Sequence, residues 1–317
     1  MRQPCGMDEY DVVIIGGGAA GLSAALVLSR ARRRVLVVDG GAPRNAPAAH
    51  LHGFLSRDGL PPSELLAAGR DEVRGYGGTI CEGNVGELVR CGRSGFAVLL
   101  SDGRRVSARR LLVATGLRDE LPDIPGLRER WARDVLHCPY CHGYEVRDQQ
   151  LGVLGGGTGA VHYAQIVRQW AADVVFFAPP GTLTNADRAQ LVARAIGIVE
   201  GTVERILISD DRLCGVELGD GRIIRRDALF VPPRFVAHND VLVGLGCAID
   251  DDGWVVTGAY GQTSVPGVWV AGNVANPRAQ LITAAGEGSA AAIAINADLV
   301  DEDVRDAVRD FNQGFLP

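Results

Sequence analysis

A chain of 317 residues, 47% hydrophobic and 22% charged, has the make-up of an ordinary globular protein with room for two domains. Its net charge of −6, with basic residues that are all arginine and scattered, gives no reason to expect nucleic acid or an anionic membrane as partner. No apolar run approaches the roughly 20 residues of a membrane helix, and the N-terminus MRQPCGMDEY lacks a signal peptide's apolar core, so a cytoplasmic protein is expected.

In chain order, the first predicted unit is the strand Asp11-Val12-Val13-Ile14-Ile15, the turn Gly16-Gly17-Gly18-Ala19-Ala20-Gly21 and a helix to about Arg30. A second strand, Arg34 to Val38, ends in Asp39. This is the strand–turn–helix–strand course of a dinucleotide-binding βαβ unit, whose glycines allow a tight turn and let a pyrophosphate approach backbone N–H groups. Leu111 to Val113 is a short buried strand ending in Ala114-Thr115-Gly116. The first pattern then recurs: strand Leu151 to Leu154, turn Gly155-Gly156-Gly157-Thr158-Gly159-Ala160, helix to about Trp170, strand Asp173 to Phe177. Late in the chain, Val268-Trp269-Val270 runs into Ala271-Gly272-Asn273, and Ala284 to Ala291 opens an alanine-rich helix. The expected fold class is α/β, two Rossmann-like three-layer domains with the second inserted into the first. Residues 1–117 plus 245–317 form one domain and 118–244 the other, with proline-bearing crossings at Leu121 to Gly126 and Val231 to Arg234.

Of seven cysteines, Cys5, Cys81, Cys91, Cys214 and Cys247 are widely spaced and read as small core or surface residues. Only Cys138 and Cys141 pair, in His137-Cys138-Pro139-Tyr140-Cys141-His142-Gly143-Tyr144-Glu145. A CxxC of this kind can be core filler, half of a zinc site or a redox pair. The polar flank of His137, His142 and Glu145 speaks against filler, and without a second cysteine pair a zinc site lacks ligands. No metal is expected. As a redox pair opening a helix, its first thiol is acidified by the helix end and a neighbouring imidazolium.

The order GxGxxG, ATG, CxxC, second glycine turn, AGN resembles the two-domain thioredoxin-reductase-like FAD flavoproteins over nearly the whole chain. CPYCHGYE and the helix end Arg168-Gln169-Trp170 look closest, within that family, to the dithiol oxidases that close disulfides in small natural products such as gliotoxin, holomycin and FK228. The resemblance implies that Gly16, Gly18, Ala19, Ala20 and Gly21 hold the FAD pyrophosphate, and that Asp39 and Gly40 meet the adenosine ribose. Asp39 lies 23 positions after Gly16, in keeping with an acid about 20 residues beyond the fingerprint. It also brings Arg44, Asn45, His52, Val85, Thr115, Gly116, Gly272, Gln280 and Leu281 to the cofactor, with Asn273 where relatives carry a ribityl-binding aspartate. His50 and His52 stand in a loop that reaches the flavin or the substrate pocket, and His162 and His238 are structural. By the same resemblance Cys138 is the outer thiol that forms the mixed disulfide with substrate, and Cys141 the inner one that meets the flavin. His142, where thioredoxin reductases have an aspartate, is the acid/base, with His137 the weaker candidate for that role. A homodimer is expected on the same ground.

The direction of electron flow turns on the second glycine unit. The offset that finds Asp39 in the first unit lands on Ala178 in Phe176-Phe177-Ala178-Pro179-Pro180, where an NAD site wants an acid and an NADP site arginines. The next basic residue is Arg188, although Arg168 or an arginine from elsewhere can substitute in space. NADP(H) is therefore doubtful. The expectation is a small-molecule dithiol as donor and molecular oxygen as acceptor. An NADPH-fed disulfide reductase and a non-catalytic flavin redox sensor are the alternatives.

Overall fold

The structure, a computed structural model, describes residues 8–92, 95–157 and 159–313; Cys5 and Thr158 lie outside the described residues. The chain divides into two units: Met1–Ala46, Phe54–Arg118 and Phe235–Pro317 form the first, Pro47–Gly53 and Asp119–Arg234 the second.

The first unit starts β1 (Glu9–Ile15), α1 (Ala19–Arg30), β2 (Val35–Asp39), α2 (Pro62–Gly75), β3 (Thr79–Glu82), β4 (Val85–Cys91), β5 (Gly95–Leu100) and β6 (Arg105–Val113). β1 to β3 pair in parallel, β1 also pairs in parallel with β6, and β4 and β5 extend the sheet as an antiparallel meander. Val12 to Ile14, Leu111 and Leu112 are buried on both faces, which is why these strands read as unbroken apolar runs and not as alternation. β7 (Leu117–Glu120) leads the chain out of this unit.

In the second unit β8 (Val135–Leu136) and a one-turn helix α3 (Pro139–His142) precede β9 (Leu151–Leu154), α4 (Ala160–Val167), β10 (Val174–Ala178), α5 (Asn185–Ala193) and β11 (Ile196–Glu200). The meander β12 (Val203–Ser209), β13 (Arg212–Leu218), β14 (Ile223–Ile224) follows, then β15 (Ala228–Phe230). The parallel sheet has the order β11-β10-β9-β15-β8. One apolar cluster lies on its helix side, around Ala164, Phe176 and Leu191; another lies on its meander side, around Phe177, Val216 and Leu229.

β16 (Arg234–Ala237) brings the chain back, followed by α6 (Asp240–Gly244), β17 (Val268–Val270) and α7 (Leu281–Asn312). β17 pairs in parallel with the last residues of β6, beyond the stretch that β5 covers. The alanine- and glycine-rich start of α7 lets it lie directly on α1: a Cβ at Gly288 would stand 2.0 Å from the Ala20 carbonyl oxygen. Arg110, nearly fully buried in β6, ties the same helix down through Asp298 and Glu302.

Two features differ from the sequence-based division. Residues 235–244 belong to the first unit, because Leu242 of α6 is buried in the cluster with Leu88, Val98 and Val268. Residues 47–53, from the long connection between β2 and α2, pack with the second unit.

Candidate active site

The nucleotide cradle of the first unit is built by close backbone contacts. Gly16 adopts φ +107°, and a Cβ there would fall 2.3 Å from the Ala114 carbonyl oxygen; one at Gly21 would fall 1.9 Å from that of Gly16. Strand, turn and helix can pack this tightly only with glycine at both positions. Gly18 is different, since a Cβ there meets nothing within 4 Å. Its bareness serves open space at the start of α1, where Ala19, Ala20 and Gly21 leave helix N–H groups uncapped by any side chain.

Asp39 ends β2 beside this turn, accepting from Gly41 N at 3.1 Å and from Arg70 at 2.7 Å. Burial works to raise its pKa, but the Arg70 hydrogen bond and charge, with backbone N–H groups of Gly41 and Gly17, outweigh it and hold the carboxyl below its usual range. Gly40 and Asn45 lie in the connection after β2, and Val85 opens β4. Arg44 in the same connection reaches Asn273 Oδ1 at 3.4 Å and covers the Phe235 ring. Thr115 Oγ1 donates to the His238 carbonyl at 2.6 Å while His238 N donates to Gly116 O, so the turn after β6 is pinned from both ends.

Just beyond the C-terminal end of β17, against the start of α1, Gly272 N donates to Glu287 at 2.8 Å and Asn276 donates to the same carboxylate at 2.6 Å. Asn273 spends its amide N–H groups on the carbonyls of Asn276 and Ala279, both at 2.9 Å. An aspartate could only repel those oxygens, so asparagine here shapes the loop that delivers Gln280, the N-cap of α7, and Leu281, its first residue. Arg70 and Glu287 escaped sequence reasoning. Glu287 sits inside the Gly286-Glu287-Gly288 run and could have been noticed; Arg70 carries no local signal.

These residues fit FAD: an open Gly18, an ionised acid at the strand end, and a helix start at Leu281 whose positive end suits an anionic ring edge. Gly16 to Gly21 would hold the pyrophosphate, Asp39 the ribose, and the 272–281 turn the flavin end.

The dithiol lies in the second unit. Cys138 and Cys141 are joined as a disulfide, with Cys138 the N-cap of α3 and its sulfur accepting from Cys141 N at 3.1 Å. An N–H so placed favours negative charge on the Cys138 sulfur. His142 closes α3, and burial pushes its pKa below the ordinary imidazole value; Glu145 partly offsets this and His52 adds to it. Burial therefore favours the uncharged imidazole of His142. His52 is brought by residues 47–53 to Glu145, at 3.5 Å. This sets its side chain beside the dithiol segment, in the loop expected to reach the flavin or the substrate pocket. His137 has the Trp131 ring stacked on its own, centroids 5.6 Å apart, and its carbonyl accepts from the half-buried Tyr163 hydroxyl. The sulfurs are bonded to each other, and among the described residues no three metal-ligating side chains gather. Nor, among those residues, is any helix long and apolar enough to cross a membrane.

The second glycine turn keeps its frame. A Cβ at Gly155 would meet the Phe177 carbonyl oxygen at 2.5 Å. A pocket of about 350 Å³, walled by Leu121, Pro122, Leu154 and Pro232, opens where the strand order reverses between β9 and β15. At the end of β10 the picture changes. Ala178 is fully buried and is followed by a Pro179-Pro180 turn. Arg188 pairs with Glu200, and Arg168 donates to the carbonyls of Arg194 and Ala171 at 3.0 and 2.8 Å.

With this geometry in hand, the comparisons with known proteins agree on one family. The pyridine nucleotide-disulphide oxidoreductase model matches residues 10–288. The thioredoxin reductase sirT of Leptosphaeria maculans is 31% identical over 93% of this chain and 96% of its own length. Among solved structures, that of HlmI is 55% identical with a TM-score of 0.94, covering 100% of this chain and 99% of that one. The putative thioredoxin reductase TrxB from Bacillus anthracis is 32% identical with a TM-score of 0.88, over 93% and 99% of the two chains. The family is FAD-dependent, carries an NAD(P)-binding domain and acts on thiols and disulfides. A cradle fitted to FAD and a redox-type cysteine pair suit such an enzyme, and the chain belongs to the pyridine nucleotide-disulphide oxidoreductases, as a thioredoxin-reductase-like oxidoreductase.

Proposed function

We propose that the protein is an FAD-dependent dithiol oxidase that closes an intramolecular disulfide in a small-molecule dithiol, with oxygen as final acceptor. One observation carries this reading. At the end of β10, where a nicotinamide dinucleotide's adenosine ribose needs an acid or a cluster of free arginines, the chain has buried Ala178 and two prolines. Arg168 and Arg188, the basic side chains nearest in sequence, are engaged elsewhere. NADPH is therefore a poor electron source, and the flow runs from substrate inward.

The chain's own residues supply the thiol chemistry. His142, uncharged near neutrality, takes a proton from one substrate thiol. The resulting thiolate attacks the Cys138 sulfur, a mixed disulfide forms, the Cys138–Cys141 bond breaks and Cys141 leaves as thiolate. His142 passes its proton to Cys141 and takes that of the second substrate thiol, whose thiolate attacks its neighbour in the mixed disulfide and releases Cys138 as thiolate beside Cys141 N–H. The substrate has lost two electrons and two protons, and the cysteine pair holds the electrons. Bound FAD supplies acceptance of that electron pair and its delivery to oxygen, which leaves as hydrogen peroxide.

Anaerobic flavin absorbance tests the reading, with NADPH in one cell and a small dithiol in another. Bleaching by the dithiol alone supports an oxidase; rapid bleaching by NADPH makes the protein a reductase and removes the argument from Ala178.

A further inference from the structure

The thiol chemistry above uses only sulfur and imidazole, yet aromatic side chains crowd the same segment. Trp131, Tyr140, Tyr144, Tyr163 and Trp170 make up half of the chain's four tryptophans and six tyrosines. Trp131 and Tyr163 have structural work, one stacked on His137 and the other bonded to its carbonyl. Packing does not account for the rest. Tyr140, between the two cysteines, is 65% exposed, as is Tyr144.

Trp170 stands at the C-terminal side of α4 and meets the Tyr140 ring edge to face, centroids 5.6 Å apart and planes at 86°. Its place is fixed by the dithiol segment itself. A Cβ at Gly143 would come within 2.7 Å of the Trp170 ring, and Asp148 N donates to the Trp170 carbonyl at 2.9 Å. Tyr140, exposed inside a CxxC and braced by a tryptophan from another element, thus offers a ring face held in a fixed orientation next to the cysteine pair in the chain. The charged groups of the stretch are already engaged, Glu145 with His52 and Arg147 over the Tyr144 ring at 4.0 Å.

The geometry points to Tyr140 and Trp170 as the corner that selects the substrate: two rings set at right angles beside the Cys138–Cys141 disulfide, suited to a small uncharged dithiol whose sulfurs hang on a flat aromatic or conjugated ring. Such a ring stacks on one face and meets the edge of the other, which places a sulfur at Cys138; a flexible aliphatic dithiol gains neither contact. The inference rests on the reading that a small dithiol is the electron donor, and names what kind.

The test compares 1,2-benzenedimethanethiol with dithiothreitol, which close cyclic disulfides of the same ring size. Each is mixed anaerobically with the flavin-loaded protein. Opening of the Cys138–Cys141 bond is followed by acid quench, alkylation of the freed thiols and mass measurement. Tyr140→Ala is expected to lower the aromatic compound's rate about fivefold, the worth of one ring contact, and to leave dithiothreitol unchanged. Tyr140→Phe keeps the wild-type ratio. Equal loss on both compounds, no loss on either, or faster exchange with a reduced protein dithiol such as thioredoxin overturns the proposal. A parallel cell with NADPH separates the two ideas: if NADPH bleaches the flavin while the ratio still depends on Tyr140, the oxidase reading falls and the corner stands, selecting a cyclic disulfide instead.

Discussion

β1–α1–β2 and β9–α4–β10 run the same course, from a buried strand through a glycine turn into a helix and back to a parallel strand. In both, the first glycine is demanded by a backbone oxygen, that of Ala114 for Gly16 and that of Phe177 for Gly155. They part at the second strand's last residue. β2 ends in Asp39, ionised and braced by Arg70; β10 ends in Ala178, sealed in the core. A glycine turn thus persists because the fold packs through it, whatever it binds. Glycine spacing alone therefore does not say what each unit binds; the residue at the strand end bears on that choice.

The largest expected effect breaks what the second unit retains. His142→Ala should cut kcat/KM for a dithiol by about 10²- to 10⁴-fold with the flavin still bound, read by oxygen uptake. Gly21→Ala strikes the first unit: with 1.9 Å between its Cβ and the Gly16 carbonyl oxygen, the turn must shift. Thermal unfolding should show a loss of roughly 4 kcal/mol or more, with little flavin retained. Gly18→Ala sharpens the contrast, because its Cβ meets no protein atom. Flavin affinity should fall about tenfold while the melting temperature without flavin stays put. Next comes the pH profile. Burial favours neutral His142, so the acid limb of kcat/KM should lie below the ordinary imidazole value of about 6.5. Glu145→Gln removes the influence that raises this pKa and should move the limb to still lower pH. The smallest effect is a gain: Pro179→Arg with Pro180→Arg should make NADPH bleach the flavin slowly, leaving dithiol turnover as it was.

Much of the frame was legible because it is local. The apolar runs at 11–15 and 151–154 are strands because both faces are covered, and the glycine spacings mark the turns between them. The pairing of Cys138 with Cys141, and the missing acid at Ala178, could be read by counting. What escaped is long-range. Nothing near His52 says that its connection will pack beside Glu145, 93 positions later, and nothing near Arg70 points to Asp39. Leu242 sits in a five-residue helix too short for its periodicity to declare a side, so the boundary fell ten residues late. Arg168 could stand in for a missing phosphate ligand on paper; in the fold its guanidinium caps carbonyls near helix ends.

The division of β6 between two partners has a consequence for how the chain comes off the ribosome. Its early residues can pair with β5 at once, but Leu111 to Val113 wait for β17, and α1 waits for α7 to cover Ala20 and Ala24. Nearly all of the second unit is contiguous, residues 119–234, and complete while the first is still missing its last strand and longest helix. Synthesis therefore finishes the reactive unit first and leaves an unclosed apolar face on the other until the final helix emerges. Flavin loading is deferred until that helix is made, and a message truncated between residue 234 and the start of α7 would yield a formed disulfide segment with no cofactor to serve it.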